Sequence, residues 1–213
     1  MLPVLYDYWR STASWRVRIG LNLKDMEYEA RPIRLLEGEQ RAPDHLQRNP
    51  QGYVPVLDID GRLLTQSVAI LEYLDETRPD PALLPNDAAG RARVRALTHV
   101  IAMDSHPVCN LNVVAHATDL AGGDDAVRIA WMQHFIRKGL IAVDALLDHP
   151  STGTCCHGDT PTLADICLIP QLYNAARWQA DIGDLARIAP IADHLQSLPA
   201  FQRAEPDAVK PEG

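Results

Sequence analysis

The feature that most limits the fold of this 213-residue chain is a proline cluster, Pro79, Pro81 and Pro85, between two differently patterned halves. Proline lacks the backbone N–H that helices and inner strands need, so three of them in so short a stretch mark a boundary. Before the cluster, strand-like and helix-like segments alternate, whereas after it the apolar residues recur at helical spacing. The pattern predicts a small α/β domain followed by an all-helical domain.

The first half has the order expected of a small mixed sheet with helices. Strand-forming residues fill Pro3–Trp9 and Tyr28–Ile33, and the segment between them, Ser14–Lys24, alternates apolar and polar residues. Alternation favours a strand, but the hydroxyl residues before this segment and its length favour a helix that completes a βαβ unit. The run Val54–Leu64 contains an Asp-Gly pair and predicts a β-hairpin, and Gln66–Thr77 predicts a helix.

The second half shows three long helical patterns. Asp87–Thr118 is amphipathic in places, and Pro107 is expected to bend or break it. Ala126–Leu147 predicts another long helix, and a third, buried helix is predicted from Leu163 to about Trp178. The third is preceded by Thr162, and Asp165 stands at the position of a capping box, so Asp165 is interpreted as a cap rather than a catalyst.

Charge and cysteine content exclude several classes of protein. The chain has 20 Lys and Arg against 28 Asp and Glu, a net charge of -8 that repels nucleic acids. No stretch approaches the roughly 18 apolar residues that cross a bilayer, and no basic leader opens the chain, which predicts a cytoplasmic protein without membrane contact. The four cysteines form no CxxC pair, which indicates reduced thiols and no metal site.

Five motifs resemble, in the same order, those of the zeta-class glutathione transferases across roughly residues 4–200. They are Arg10–Ile19, Asn49–Leu57, Leu64–Leu74, Leu83–Pro85 and Gly158–Asp165. The resemblance implies a thioredoxin-like, glutathione-binding domain over residues 1–80 and an all-helical, substrate-binding domain over residues 88–213. It also implies an active cleft between them and a homodimer.

The resemblance implies a glutathione-dependent cis–trans isomerase that converts maleylacetoacetate to fumarylacetoacetate in phenylalanine and tyrosine breakdown. Rotation about a conjugated cis double bond needs a nucleophile that adds reversibly and then leaves, which suits a thiolate. Eukaryotic members carry a Ser-Ser-Cys run where this chain has Ser11-Thr12-Ala13, so no protein thiol acts at this position. Glutathione is therefore expected to supply the sulfur as a regenerated cofactor.

The expected chemistry assigns two pairs of catalytic residues. Ser11 or Thr12, at the start of the first helix, is expected to donate a hydroxyl hydrogen bond to the thiolate, with Ser11 preferred. From spacing alone both residues are equally well N-caps. Arg10, beside this turn, and Arg177, where the resemblance places the family's substrate-site arginine, are the candidates for holding the carboxylates of a small dicarboxylic diketo acid. A surface role is the ordinary one for an arginine.

The remaining candidates are expected to bind glutathione. The resemblance assigns the γ-glutamyl end to Gln66 and Ser67, the cysteinyl part to Val54 and Pro55 through a cis peptide bond, and the glycyl end to Gln51. A cap is the alternative role for Gln66 and Ser67.

A second group of cofactor candidates surrounds Pro107. Asp104, His106 and Asn110 are predicted on one helical region, where i, i+4 spacing turns His106 and Asn110 to the same side. They are expected to contact glutathione across the dimer or to polarise the enol oxygen, and a structural role for His106 is the alternative.

Other functions stay open at this point. The rivals are a maleylpyruvate isomerase of gentisate breakdown, a transferase acting on small α-halo acids, and a non-catalytic interaction domain. Extra arginines near residues 110–112 are associated with maleylpyruvate, and the Asn110-Leu111-Asn112 run of this chain tilts the prediction toward maleylacetoacetate.

Overall fold

The computed structural model describes residues 2–211, and the chain divides into two units. One unit runs up to Leu83 and resumes at Ser197, and the other is Leu84–Gln196. The division between Leu83 and Leu84 lies within the proline cluster that the sequence predicts as a boundary. The end of the chain differs from the predicted division, which gave residues 88–213 to the helical domain. Residues 197–211 group with the first unit instead, where the side chains of Asn22 and Arg18 donate to the carbonyls of Ala200 and Ala204.

The first unit is built on a four-stranded sheet of thioredoxin-like character, as predicted. Its strands are β1 (Val4–Asp7), β2 (Glu29–Pro32), β3 (Val56–Ile59) and β4 (Arg62–Thr65). The strand order is β2-β1-β3-β4, with β1 and β2 parallel and the other pairs antiparallel. Parallel neighbours need a crossover connection, and the helix α1 (Thr12–Leu23) supplies it.

The burial of residues on several sides of helix α1 explains why its sequence alternates like that of a strand. Of the four polar members of the alternation, Arg16, Arg18 and Lys24 are buried and Asn22 is half-buried, so none is turned fully to solvent. On the same helix, Val17 and Leu21 pack into the apolar core beneath the sheet. The sequence therefore holds two kinds of buried residue, and the alternation does not mark a solvent face.

The predicted hairpin and the helix after it are confirmed. Asp60 and Gly61 have φ values of 54° and 70°, the positive values that a two-residue turn between β3 and β4 requires. Helix α3 (Ser67–Thr77) lies close to α1 at Gly20, where an added Cβ would come within 2.2 Å of Leu71. Between β2 and β3 lie two short 3-10 turns and α2 (Pro43–Arg48).

The helical unit contains the predicted helices with one important difference. Its elements are α4 (Ala88–His99), a π-helical segment (Val100–Ser105), α5 (His106–Val108), α6 (Leu111–Leu120), α7 (Asp125–Leu146), α8 (Leu163–Arg177) and α9 (Ile188–Ser197). In the first unit, the chain ends in α10 (Pro199–Gln202) and α11 (Pro206–Val209). Within residues 2–211, none of the helices combines the length and apolar character needed to span a bilayer.

The predicted break at Pro107 is confirmed, and the difference lies in the form that it takes. Because Pro107 has no N–H and its ring crowds the preceding turn, the chain widens into the π-helical segment and α5 ends at Val108. Asn110 is extended, with ψ of 144°, and precedes α6 as its N-cap. The prediction that His106 and Asn110 share a helical face is therefore wrong.

The cap of α8 is confirmed. The Asp165 carboxylate accepts hydrogen bonds from the backbone N–H and the hydroxyl of Thr162, both at 2.7 Å. Its other oxygen accepts the N–H of Cys156 at 2.7 Å, which ties the preceding loop to the helix start. Burial raises the pKa of the Asp165 carboxyl, and these hydrogen bonds oppose the rise.

Candidate active site

The β1–α1 turn, residues 8–11, presents Ser11 at the start of a helix. Ser11 is the N-cap of α1, and its Oγ accepts the backbone N–H of Ser14 at 3.2 Å. The backbone N–H of Ser11 donates to the carbonyl of Tyr8 at 2.8 Å, which closes the turn. A hydroxyl that accepts one hydrogen bond keeps its proton for another acceptor. Ser11 can therefore donate to an anion that also profits from the positive end of the helix.

Thr12 has a different setting from Ser11. It is the first residue of α1 and is only 5% exposed, whereas Ser11 is half-buried. Of the two hydroxyls that the sequence left open, Ser11 is thus the more accessible to a bound molecule.

Arg10 lies in the same turn and packs against an aromatic ring. Its guanidinium carbon is 5.3 Å from the ring centroid of Trp9, a cation–π distance. Lys210, near the end of the chain, has its ammonium nitrogen 5.3 Å from the same centroid. Trp9 is therefore a support for Arg10 that the sequence reasoning missed.

The Val54–Pro55 peptide bond is cis, as predicted. Both residues are buried and lie immediately before β3.

Gln66 and Ser67 form the start of α3 in an unusual conformation. Gln66 has a φ of 68° and ψ of 110°, values that a side chain disfavours and that are concentrated at functional sites. Its side-chain amide donates to the Oε1 of Gln51 at 2.7 Å, so two predicted glutathione contacts lie together. The buried Ser67 accepts a hydrogen bond from Arg16 at 3.4 Å, which joins this site to α1.

The four other predicted residues lie in the helical unit. Arg177 is the exposed last residue of α8, and its guanidinium carbon is 5.4 Å from the Trp178 ring centroid. Arg128 approaches the same ring at 5.7 Å. Asp104 is exposed in the π-helical segment, His106 begins α5, and Asn110 precedes α6.

The cysteines lie away from the β1–α1 turn in sequence, and the environment of Cys109, Cys155 and Cys156 keeps these three protonated. None of the four forms a disulfide bond. Burial raises the pKa of Cys109 to about 11 and that of Cys155 to about 12, and it raises the pKa of Cys156 well above the ordinary value. Only the thiolate is strongly nucleophilic, so these side chains are poor nucleophiles at neutral pH.

We therefore expect brief iodoacetamide treatment at pH 7.5 to leave the native protein active. Because the pKa values are raised, the reactive thiolate forms only as the pH rises toward them, and alkylation should accelerate with pH. Mass spectrometry would count the alkylated sites, and activity would be measured after the reagent is removed. Loss of activity in step with one alkylation at pH 7.5 would contradict this prediction.

Metal chemistry has no candidate site in the described part of the chain. Among residues 2–211, no three His, Cys, Asp or Glu side chains are grouped so that they could hold a metal ion.

The chain is similar to known proteins over almost its whole length. Residues 4–76 match the glutathione S-transferase N-terminal domain. A maleylacetoacetate isomerase of Rhizobium meliloti is 57% identical over 98% of both chains. The holo structure of a maleylpyruvate isomerase, described as a bacterial zeta-class glutathione transferase, superposes with a TM-score of 0.95 at 41% identity, covering 99% of this chain and 100% of the other. The structure of the maleylacetoacetate isomerase of Anaeromyxobacter dehalogenans, with glutathione bound in its active site, has a TM-score of 0.89 at 42% identity. The match covers 100% of this chain and 98% of the other.

Proposed function

Because this chain belongs to the zeta class of glutathione transferases, we propose that it isomerises maleylacetoacetate to fumarylacetoacetate with glutathione as its cofactor. The assignment of the substrate rests on the 57% identity to a maleylacetoacetate isomerase over nearly the full length of both chains. The observation that supports the chemistry is the accessible Ser11 hydroxyl at the start of α1.

The residues of the first unit suit a peptide with a thiol and carboxylates. The first turn of α3, which begins at Ser67 and has no side-chain cap, can take a carboxylate, and the backbone of Val54, just before β3, can pair with an extended peptide. Gln51, joined to Gln66, borders this site. When bound, glutathione supplies a sulfur anion that adds reversibly to the double bond, so that rotation can occur before the sulfur leaves.

In this proposal Ser11 keeps the sulfur ionised. A free thiol has a pKa of about 8.5, so little of it is ionised at neutral pH. A hydrogen bond to a charged acceptor contributes about 1.5–3 kcal/mol, which lowers the thiol pKa by about one to two units. The N-terminus of α1 acts in the same direction.

Arg10 and Arg177 are proposed to hold the two carboxylates of the substrate. The protein carries a net charge of -8, so attraction of a dianion depends on local cations. Guanidinium groups match carboxylates with paired hydrogen bonds, and both arginines stack on tryptophan rings that limit their motion. Asp104, His106 and Asn110 are proposed to contact glutathione across the dimer or to polarise the enol oxygen, although not through a shared helical face.

Arg177→Ala is expected to raise the KM for the maleyl substrate about 10- to 100-fold while the KM for glutathione changes little. The lost interaction is a charged hydrogen bond to a substrate carboxylate, and the cofactor does not use it. Steady-state kinetics with each compound varied in turn would measure the effect.

Arg128→Ala is the matched control for this prediction. Arg128 stacks on the same Trp178 ring and pairs with Asp125 at 3.2 Å, so it tests whether ring packing alone explains the loss. Equal effects of the two substitutions, or an equal rise of both KM values in Arg177→Ala, would reject the role of Arg177.

A maleylpyruvate isomerase is the second candidate function. The structure that superposes with a TM-score of 0.95 is an enzyme of that name. Incubation of the purified protein with each maleyl substrate, with and without glutathione, would decide between them through the loss of the cis-enol absorbance. The proposal requires turnover of maleylacetoacetate that disappears when glutathione is dialysed away.

We also propose that the protein is a cytoplasmic homodimer acting in phenylalanine and tyrosine breakdown. Free cysteines suit a reducing compartment. Light scattering after gel filtration should give twice the chain mass of 23.6 kDa.

A further inference from the structure

Arg18 joins three separate segments of the first unit through one side chain. It is 1% exposed, and its Nη1 donates to both oxygens of the Asp7 carboxylate at 2.9 and 2.7 Å. Its Nη2 donates to the carbonyl of Trp9 at 2.8 Å, and its Nε donates to the carbonyl of Ala204 at 3.0 Å. A single guanidinium therefore connects the end of β1, the β1–α1 turn and the C-terminal segment (residues 197–210).

The bond to Trp9 bears directly on Ser11. Trp9 precedes Ser11 by two residues, and the turn between them is closed by the Ser11 N–H to Tyr8 carbonyl bond. A shift of the Trp9 carbonyl therefore moves the Ser11 hydroxyl. Displacement of a reacting group by about 1 Å can cost about 100-fold in rate.

The C-terminal segment holds the same turn from a second direction. Besides the Ala204 carbonyl that Arg18 contacts, Lys210 lies over the ring of Trp9, on which Arg10 also stacks. The side-chain amide of Asn22 donates to the carbonyl of Ala200 at 2.9 Å and anchors the segment to α1.

Stability alone does not account for a buried arginine at this place. Replacing a buried ion pair by apolar residues is often neutral or stabilising, because removing two charges from water is costly. The planar guanidinium offers instead a rigid set of donors in fixed directions, which suits a positioning role.

We propose that Arg18, together with the C-terminal segment, is a positioning residue that fixes the β1–α1 turn so that Ser11 and Arg10 meet the cofactor and substrate. This inference rests on the proposed function, since it takes Ser11 as the donor to the glutathione sulfur. The charged and titratable groups at Arg18 are Asp7 and Tyr28. Burial raises the pKa of Tyr28, and Arg18 opposes that rise.

The test compares Arg18→Lys with Lys24→Gln. Lysine keeps the charge beside Asp7 but cannot reach three acceptors in the guanidinium geometry. Lys24 is a matched control because it is also buried and lies at the C-terminal end of α1, away from the β1–α1 turn. Its ammonium contacts Asp75 and the carbonyls of Arg78 and Pro81.

The main measurement is the titration of the glutathione thiol in the binary complex, followed by thiolate absorbance without any substrate. Arg18→Lys should shift this titration to higher pH and lower kcat about tenfold, with the glutathione KM within about twofold of the parent. Lys24→Gln should lower the unfolding midpoint and leave the titration unchanged. A parental titration in folded Arg18→Lys would overturn the proposal.

A second variant covers the case in which Arg18→Lys fails to fold. The double variant Asn22→Ala with Lys210→Gln changes one half-buried and one exposed side chain. It removes the hydrogen bond to the Ala200 carbonyl and the contact with the Trp9 ring, and it should shift the titration in the same direction by a smaller amount. A parental titration in that folded double variant would equally overturn the proposal. If the parent protein itself shows no lowered thiol pKa, the role of Ser11 fails instead, which separates the two outcomes.

Discussion

Ser11→Ala is expected to lower kcat/KM for the maleyl substrate about 10- to 100-fold at pH 7. The substitution removes the hydroxyl that is proposed to donate to the sulfur anion, a bond of about 1.5–3 kcal/mol. Ser11 stabilises the ionised form, so its loss raises the thiol pKa, and the acid limb of the pH–rate profile should move up by about one to two units. The pH dependence of kcat/KM measures the effect.

Two controls separate this role from helix capping. Ser11→Ala also removes the acceptor for the Ser14 N–H, whereas glycine is a good N-cap and costs only a few tenths of a kcal/mol. Ser11→Gly should therefore lose the same activity with little loss of stability. Thr12→Val should retain most activity, and a larger loss there than in Ser11→Ala would transfer the donor role to Thr12.

Asp165→Ala is expected to reduce the free energy of unfolding by about 3–5 kcal/mol. The carboxylate is fully buried and accepts three hydrogen bonds, from the N–H of Cys156 and from two groups of Thr162. Each buried donor left without an acceptor costs about 1–3 kcal/mol, partly offset because the buried charge is removed. Chemical denaturation followed by circular dichroism would measure the change.

Asp159→Ala is the control for this prediction. Asp159 lies in the same loop region and accepts from the N–H and hydroxyl of Thr154, but both partners are exposed. Its substitution should cost less than about 1 kcal/mol, since water replaces the lost acceptor. A loss for Asp165→Ala as small as this would show that the capping box does not hold the start of α8.

The parts of the fold that depend on neighbouring residues were predictable from the sequence. The Asp60-Gly61 turn requires positive φ at both residues, and few other pairs accept it. The Thr162 and Asp165 capping box likewise involves residues three apart. In both cases the chemistry that fixes the structure lies within a few positions of the sequence.

Other parts depend on contacts between distant residues and could not be predicted locally. Arg18 gives no sequence sign that it is buried, because its acceptors lie at Asp7, Trp9 and Ala204. The positive φ of Gln66 is imposed by the entry into α3 and not by its own preference. The contacts of the C-terminal segment with α1 could not be predicted for the same reason, since Ala200 and Ala204 lie far from α1 in sequence.

Around Pro107 the sequence predicted a disruption but not its form. A proline inside a helix can kink it, end it or widen the turn before it. Here α7 packs closely against the widened π-helical turn. A Cβ on Gly139 of α7 would clash with the Oγ of Ser105 in that turn. The tertiary contact is absent from any local pattern.

The outer strand β2 has a further consequence for the behaviour of the protein in concentrated solution. An edge strand with unpaired N–H and C=O groups can recruit the edge of a neighbouring molecule and start aggregation. In β2 all four residues are exposed, Glu29 and Arg31 form an ion pair at 2.7 Å, and Pro32 has no N–H to offer. The β2 edge of the sheet is thereby protected against strand recruitment, so β1, which lies next to it, is shielded on that side from the edge of a neighbouring molecule.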